Sequence, residues 1–313
     1  MKINNSIKSI SNIYKNMSNF GKILIFVTLF LILIVLFKSV NNITNKEGYQ
    51  QNDNFLFKQG SEIYDDFYVD IYDHLVFNNL KDDYEIGAIK NKTNPNSKSV
   101  ILDVGCGTGH HVDKLAQYNL NVIGIDISPS MISKAKENYP RYNFILGDVQ
   151  DISKFNNNQF THILCLYFTI YYFDDKQKFL NNCMEWLMPG GTLILHVVNR
   201  EKFDPILPPG NPLYIVSPQK YSKERITKTK ITFNDFVYSS NFELESKNDT
   251  ATFHEKFKFN NGKVRKQEHK LYMNSENDII NMAQDAGFLI QGKIDLVNCA
   301  YEYQYLYILV KPQ

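Results

Sequence analysis

Two acids and three glycines in one short stretch carry the most legible chemistry of this 313-residue chain. Asp103 stands just before Gly105-Cys106-Gly107-Thr108-Gly109, and Asp126 closes the next apolar run, Val122-Ile123-Gly124-Ile125. Glycines lack Cβ atoms, so the backbone can turn sharply there and approach a ligand closely. A carboxylate placed like Asp126 can accept hydrogen bonds from both hydroxyls of a ribose. Asp103, two residues ahead of the first glycine, can face a ligand ammonium. The run is Asp-x-Gly-x-Gly-x-Gly, and the residue three past Gly107 is His110, so the dinucleotide pattern G-x-G-x-x-G is not met.

The elements that must hold these residues follow from the flanking pattern. Ser99 to Val104 is a short apolar run, His110 to Tyr118 reads as a helix, and Val122 to Asp126 is a second apolar run. Strand, glycine turn, helix and strand make a βαβ unit of a parallel sheet. A right-handed crossover brings the turn and Asp126 together at neighbouring carboxyl ends, where open α/β sheets bind ligands. An adenosine ligand that also carries an ammonium is S-adenosylmethionine, whereas NAD lacks the ammonium. The competing reading, a glycine turn that binds nothing, does not account for the two acids.

On these residues the chain resembles the class I S-adenosylmethionine-dependent methyltransferases. VILDVGCGTGHHVDKLAQYNLNVIGIDIS is similar to their first motif and ribose acid, and Pro129 to Ile132 to the start of their next helix. Phe144 to Val149 resembles their third strand with its Gly-Asp, Thr161 to Leu166 the fourth strand, and Leu187 to Leu193 the turn into the fifth. The resemblance implies a Rossmann-like, doubly wound, mostly parallel seven-stranded sheet with S-adenosylmethionine as co-substrate. Within the class, Ser61 to Tyr68 and an insertion after strand five are similar to N-methyltransferases of nucleotide-linked sugar amines. By that resemblance Tyr68, Gly105, Asp126, Asp148, Val149 and Leu166 line the cofactor, beside Asp103, Gly107 and Gly109. Gly105 departs from the pattern, since several relatives have Ala there.

The acceptor side is less legible. Tyr167, Phe168, Tyr171, Tyr172 and Phe173 follow strand four, where aromatic faces can hold a sulfonium or ammonium, although core packing also explains them. His196 on strand five is the imidazole expected near the cleft, and as a general base it could take a proton from the acceptor. A hydroxyl acceptor needs such a base; an amine needs only to arrive deprotonated. Lys220, Lys223, Arg225, Lys228 and Lys230 could clamp a diphosphate or simply form a solvated face. From about 220 to 273 the pattern has period two: Ala251, Phe253, Glu255, Phe257 and Phe259 share one face, and Asn261-Gly262 predicts a type I′ hairpin turn. This antiparallel insertion (201–274) is expected to cover the active-site mouth or a second copy of the chain. Ser275 to Ala286 reads as a capped helix, and 289–297 with 303–310 as a closing antiparallel pair.

Lys plus Arg number 34 and Asp plus Glu 33, which argues against a nucleic-acid partner and disfavours the further alternative of RNA or protein methylation. The Cys and His spacing predicts no metal site. The N-terminal apolar run Ile23 to Phe37, bracketed by Lys22 and Lys38, predicts a membrane anchor at 23–40 after a tail at 1–22. It is followed by a polar tether at 41–60 and the methyltransferase domain at 61–313. A single-pass membrane protein with a cytosol-facing domain is expected, because the cofactor is cytosolic and four scattered cysteines suit a reducing compartment. The expected activity is methyl transfer to a small-molecule N or O acceptor. A methyltransferase-fold scaffold without turnover is the alternative from another class.

Overall fold

The computed structural model describes residues 55–210 and 217–313, together with 18, 21–22, 25, 27–28 and 30. The chain divides into two compact units, 1–50 and 51–313. Among the described residues no helix is long and apolar enough to cross a membrane. This corrects the expected anchor over 23–40 and removes the single-pass localisation and cytosol-facing orientation built on it. The described residues 25, 27, 28 and 30 are helical, and the rest of that segment lies outside the described residues. The physical weakness of that expectation was length: a fifteen-residue apolar run, interrupted at Thr28, spans roughly 22 Å against a hydrocarbon layer of about 30 Å.

In chain order the strands of the second unit are β1 (Phe55–Gln59), β2 (Val100–Val104), β3 (Asn121–Asp126), β4 (Asn143–Leu146), β5 (Phe160–Cys165) and β6 (Leu187–Val198). They continue with β7 (Lys228–Thr232), β8 (Phe236–Glu245), β9 (Thr250–Phe259), β10 (Val264–Tyr272), β11 (Leu289–Asp295) and β12 (Gln304–Val310). The helices are α1 (Asp66–Val76), α2 (Asn79–Thr93), α3 (His110–Ala116), α4 (Pro129–Asn138), α5 (Lys176–Trp186) and α6 (Glu276–Asp285).

The main sheet has seven strands in the order β11-β12-β6-β5-β2-β3-β4. Strands β6 to β4 run parallel, and β12 is antiparallel to both its neighbours. Its parallel strands are apolar on both sides because both faces are covered. Ile101, Val112, Leu115, Val122, Ile132 and Ala135 form the core under α2, α3 and α4. Leu102, Ile163, Phe179, Cys183, Trp186 and Ile279 form it under α5 and α6. The strand order reverses direction between β2 and β5, so a crevice opens at their carboxyl ends.

Local signals start the elements that border this crevice. Asp65 caps α1 by accepting from the Tyr68 N–H at 3.2 Å, and Ser128 caps α4 by accepting from the Met131 N–H at 3.2 Å. Such a cap contributes about 1 kcal/mol. Ser275 and Asp278 form a reciprocal capping box at α6.

The insertion is a five-stranded sheet, β1-β10-β9-β8-β7, antiparallel except for β1, which runs parallel to β10. The expected tether at 41–60 is therefore corrected at its end, since Phe55 to Gln59 pair with Val264 to Glu268 as an edge strand. The β9–β10 turn also differs from expectation. Only Gly262 of the Asn-Gly pair takes a positive φ (85°), and the Gly262 N–H donates to the Phe259 carbonyl. A type I′ turn needs positive φ at both central residues.

Candidate active site

A cleft of about 1000 Å³ lies at the carboxyl ends of β2, β3 and β5, roofed by the insertion sheet. Among the residues singled out from the sequence, Tyr68, Asp103, Gly105, Gly107, Asp126, Asp148, Val149 and Leu166 all line it. Gly109 and His196 do not.

The glycine loop is built by backbone geometry. Gly105, Gly107 and Gly109 have φ of 67°, 52° and 94°. A Cβ on Gly105 would lie 2.7 Å from the Thr169 side chain, so the loop after β5 could not close over it. At Gly107 a Cβ would meet only Tyr72, at 3.8 Å, which leaves the peptide open to the cleft. Gly109 serves packing instead: a Cβ there would lie 2.8 Å from Phe144.

The two acids differ in environment. Asp126 accepts the Gly107 N–H at 3.0 Å and the Ser128 N–H at 2.9 Å, which ties the glycine loop to the end of β3. Burial pushes its carboxyl above the usual range, and those backbone donors only partly offset this. Asp103 is 2% exposed, and its Oδ2 has no hydrogen-bond partner. Burial raises its carboxyl to about 6 against the opposing pull of His111. A buried acceptor left unpaired in a native fold calls for a partner. An ammonium entering the cleft would supply one. Asp148 is exposed at the rim, where its Oδ1 accepts the Gln150 N–H.

The expected base, His196, is fully buried behind the rings of Tyr167 and Phe168, at 6.5 and 6.2 Å between centroids. Burial, and then the Lys81 charge, push its imidazole down to about 4. It is a neutral core residue that no acceptor in the cleft can touch. The physical reason is strand alternation, which aims it beneath the post-β5 loop rather than into the opening.

The basic run does not reach the cleft either. Lys220 pairs with Glu302 at 2.6 Å, and Arg225 donates to the Phe203 and Arg200 carbonyls while lying over the Phe203 ring. Lys228 and Lys230 line a separate groove on the insertion sheet. Of the five aromatics after β5, Tyr167, Phe168, Tyr172 and Phe173 line the cleft; Tyr171 is in the core, accepting the Val198 N–H at 2.8 Å.

Sequence reasoning passed over the polar residues of the insertion's inner face. His269 and Tyr172 both line the cleft, joined at 2.8 Å through Nδ1, and Glu255 lies behind His269 at 2.7 Å from Nε2. A signal for this existed: Glu255 is an acid on an otherwise apolar strand face. Tyr64, Tyr68 and Tyr72, spaced by four residues, stack edge to face along the same wall.

Among the described residues one group, Asp82, Glu85 and His111, has metal-ligand geometry. The Lys81 ammonium already holds Glu85 at 2.6 Å. Burial lowers His111, but Asp82, Glu85 and Asp103 more than reverse this and raise it to about 9. Two resident cations therefore compensate the acids, and a divalent ion would have to displace both charges.

Residues 101–191 match the family described as "Methyltransferase domain". A ubiquinone biosynthesis O-methyltransferase from Rickettsia canadensis (strain McKiel) is 32% identical over 129 residues, covering 40% of this chain and 53% of that protein. The chain thus spans about half the length of the curated relatives it matches. An S-adenosylmethionine-dependent methyltransferase from Clostridium acetobutylicum superposes with TM-score 0.59 at 19% identity, over 79% of this chain and 97% of that one. The sugar N-methyltransferase KedS8 from Streptoalloteichus sp. superposes with TM-score 0.57 at 18% identity, over 86% and 98%. The fold and the matched stretch 101–191 define an α/β domain of the methyltransferase type. Residues 101–191 carry a methyltransferase domain, and the fold around it is that of S-adenosylmethionine-dependent methyltransferases.

Proposed function

We propose that the chain transfers a methyl group from S-adenosylmethionine to a small-molecule hydroxyl or amine. The observation that carries this reading is the buried, unpaired Oδ2 of Asp103 beside the open peptide of Gly107 and the carboxylate of Asp126. Asp103 would take the ammonium, Asp126 the ribose, and Asp148 with Val149 the adenine edge. The cofactor supplies a methyl on a sulfonium, a good leaving group, so the protein's task is to hold the acceptor lone pair on the S–CH3 axis. Such positioning can contribute about 7–11 kcal/mol.

The cleft is of a size for one cofactor and a modest organic acceptor, and the insertion roofs it with Phe242, Phe253, His269 and Tyr272. That favours a small molecule over RNA or protein, in line with the charge balance. It also gives the insertion's inner face an occupant without a second copy of the chain. The basic run lies outside the cleft, so it offers a nucleotide-linked acceptor no diphosphate clamp.

Calorimetry with S-adenosylmethionine on the full chain tests the reading. One site per chain is expected, with Asp103→Asn weakening it about tenfold or more, as for a lost charged hydrogen bond. No binding by the wild-type chain would overturn the assignment.

A further inference from the structure

A line of hydrogen bonds leads from the cleft into the insertion sheet. The Tyr64 hydroxyl donates to the Tyr172 hydroxyl at 2.9 Å, Tyr172 Oη lies 2.8 Å from His269 Nδ1, and His269 Nε2 lies 2.7 Å from Glu255 Oε2. Three residues hold the inner end. Glu255 also accepts from the Tyr238 hydroxyl and the Gln267 amide, both at 2.6 Å. Gln267 in turn accepts from Arg265, whose other nitrogens are fixed by Asp65 and the Ile63 carbonyl. Glu255 is 2% and His269 3% exposed, whereas Tyr172 is 39% exposed, toward the cleft.

The proton positions follow from the partners. An ionised carboxylate only accepts, so Nε2 of His269 carries the proton and Nδ1 is left to accept from Tyr172. Burial works against charge on Glu255, while the hydrogen bonds it accepts from His269, Tyr238 and Gln267 favour the ionised form, and its carboxyl lies below the usual range. The groups facing His269 are Tyr64 and Tyr68 from the α1 side, Tyr172 after β5, Glu255 on β9 and the Phe253 ring. Glu255 is the one carboxylate in direct hydrogen-bond contact with that ring among them.

We propose that Tyr64, Tyr172, His269 and Glu255 form a proton-accepting relay, and that the methyl acceptor of this site is a hydroxyl. The inference rests on the methyl-transfer reading above. As the acceptor oxygen bonds to the methyl carbon, the methyl–sulfur bond breaks and its electron pair stays on sulfur. The acceptor proton passes to the Tyr64 oxygen, the Tyr64 proton to Tyr172, and the Tyr172 proton to His269 Nδ1. The products are a methyl ether, a neutral thioether and an imidazolium paired with Glu255. Burial raises both tyrosine hydroxyls above their ordinary range, which favours each passing a proton on as it receives one. An amine that arrives deprotonated sheds its proton after transfer and needs no such chain. His269 and Glu255 act through Tyr172 and are positioning residues.

The test begins with long-range proton–nitrogen NMR of histidine-labelled full chain, with and without S-adenosylhomocysteine, the His269 signals being assigned from His269→Gln. The expected state is neutral His269 protonated on Nε2, switching tautomer or charge in Glu255→Gln. A wild-type His269 protonated on Nδ1 overturns the relay whatever the chain binds. Failure to bind S-adenosylhomocysteine overturns the methyl-transfer reading instead. Turnover is then measured with catechol, phenol and glucosamine as probes. Transfer to a hydroxyl probe is expected to fall about 10²–10⁴-fold in His269→Gln and in the shape-conserving Tyr172→Phe, with S-adenosylhomocysteine affinity within twofold of wild type. Transfer to glucosamine's amine alone, no transfer to either phenolic probe, or unchanged rates in both variants overturns the hydroxyl assignment.

Discussion

Asp126 accepts two backbone N–H groups, from Gly107 and Ser128, and still has lone pairs for a ribose. Asp126→Ala should weaken S-adenosylmethionine by about 1.5–3 kcal/mol, read by calorimetry, with some loss of stability from the freed loop donors. Unchanged affinity would detach β3 from the cofactor. His196 leads to the opposite expectation. Because its ring is sealed under Tyr167 and Phe168, His196→Ala should lower the melting temperature while leaving cofactor affinity within twofold. The sequence placed both residues at strand ends of one sheet. What separates them is which way each side chain points, and that depends on the loop packed above.

At the scale of elements, the glycine loop joins β2 to α3 through three left-handed residues with different tasks. Gly109→Ala combines φ of 94° with a 2.8 Å approach to Phe144, so about 1–3 kcal/mol of strain should appear as a lower urea midpoint. Gly107→Ala has room on the protein side and should cost less stability. Its new methyl would instead face the cleft, so the larger effect is expected on cofactor affinity. Similar stability losses in both, with cofactor binding intact, would contradict this division. The glycine loop was legible from sequence because strand, turn, helix and strand are contiguous. The insertion's role was only half legible: period two gave its strands and aromatic face, but not the fact that this face roofs the cleft.

The charge cluster between α2 and α3 acts on the whole molecule. Lys81 and Glu85 are fully buried at 2.6 Å, and His111 lies 3.4 Å from Glu85 and 3.8 Å from Asp82. His111 titrates at about 9 in the fold, against roughly 6.5 unfolded. A folded value above the unfolded one means its stabilisation is complete below about pH 6.5 and is lost as pH rises through 9. Asp103, raised to about 6, adds a loss of the same sign between about pH 4 and 6. Urea unfolding at pH 6.5 and 9 should therefore show a fall on the order of 3 kcal/mol, flattened in His111→Gln. A slope that survives that substitution would place the titrating group elsewhere.

The sequence by itself determined the parallel core, the glycine turn, the places of Asp103 and Asp126 on neighbouring strands, the place of Gly147-Asp148 after β4, and the closing antiparallel pair. Those features sit within one or two elements of each other, so spacing and periodicity are enough to specify them. It misjudged the apolar run at 23–37, because hydropathy reports composition while spanning is a matter of length. Only the tertiary structure decided that His269, and not His196, joins the imidazoles lining the cleft. Tyr64 and Tyr172 are 108 residues apart and Tyr172 and His269 are 97 apart, joined by an insertion folding back over the sheet. His196 and the basic run were turned away by the same packing. Contacts over such separations are fixed by how faces dock, and a linear pattern carries each face but not its partner.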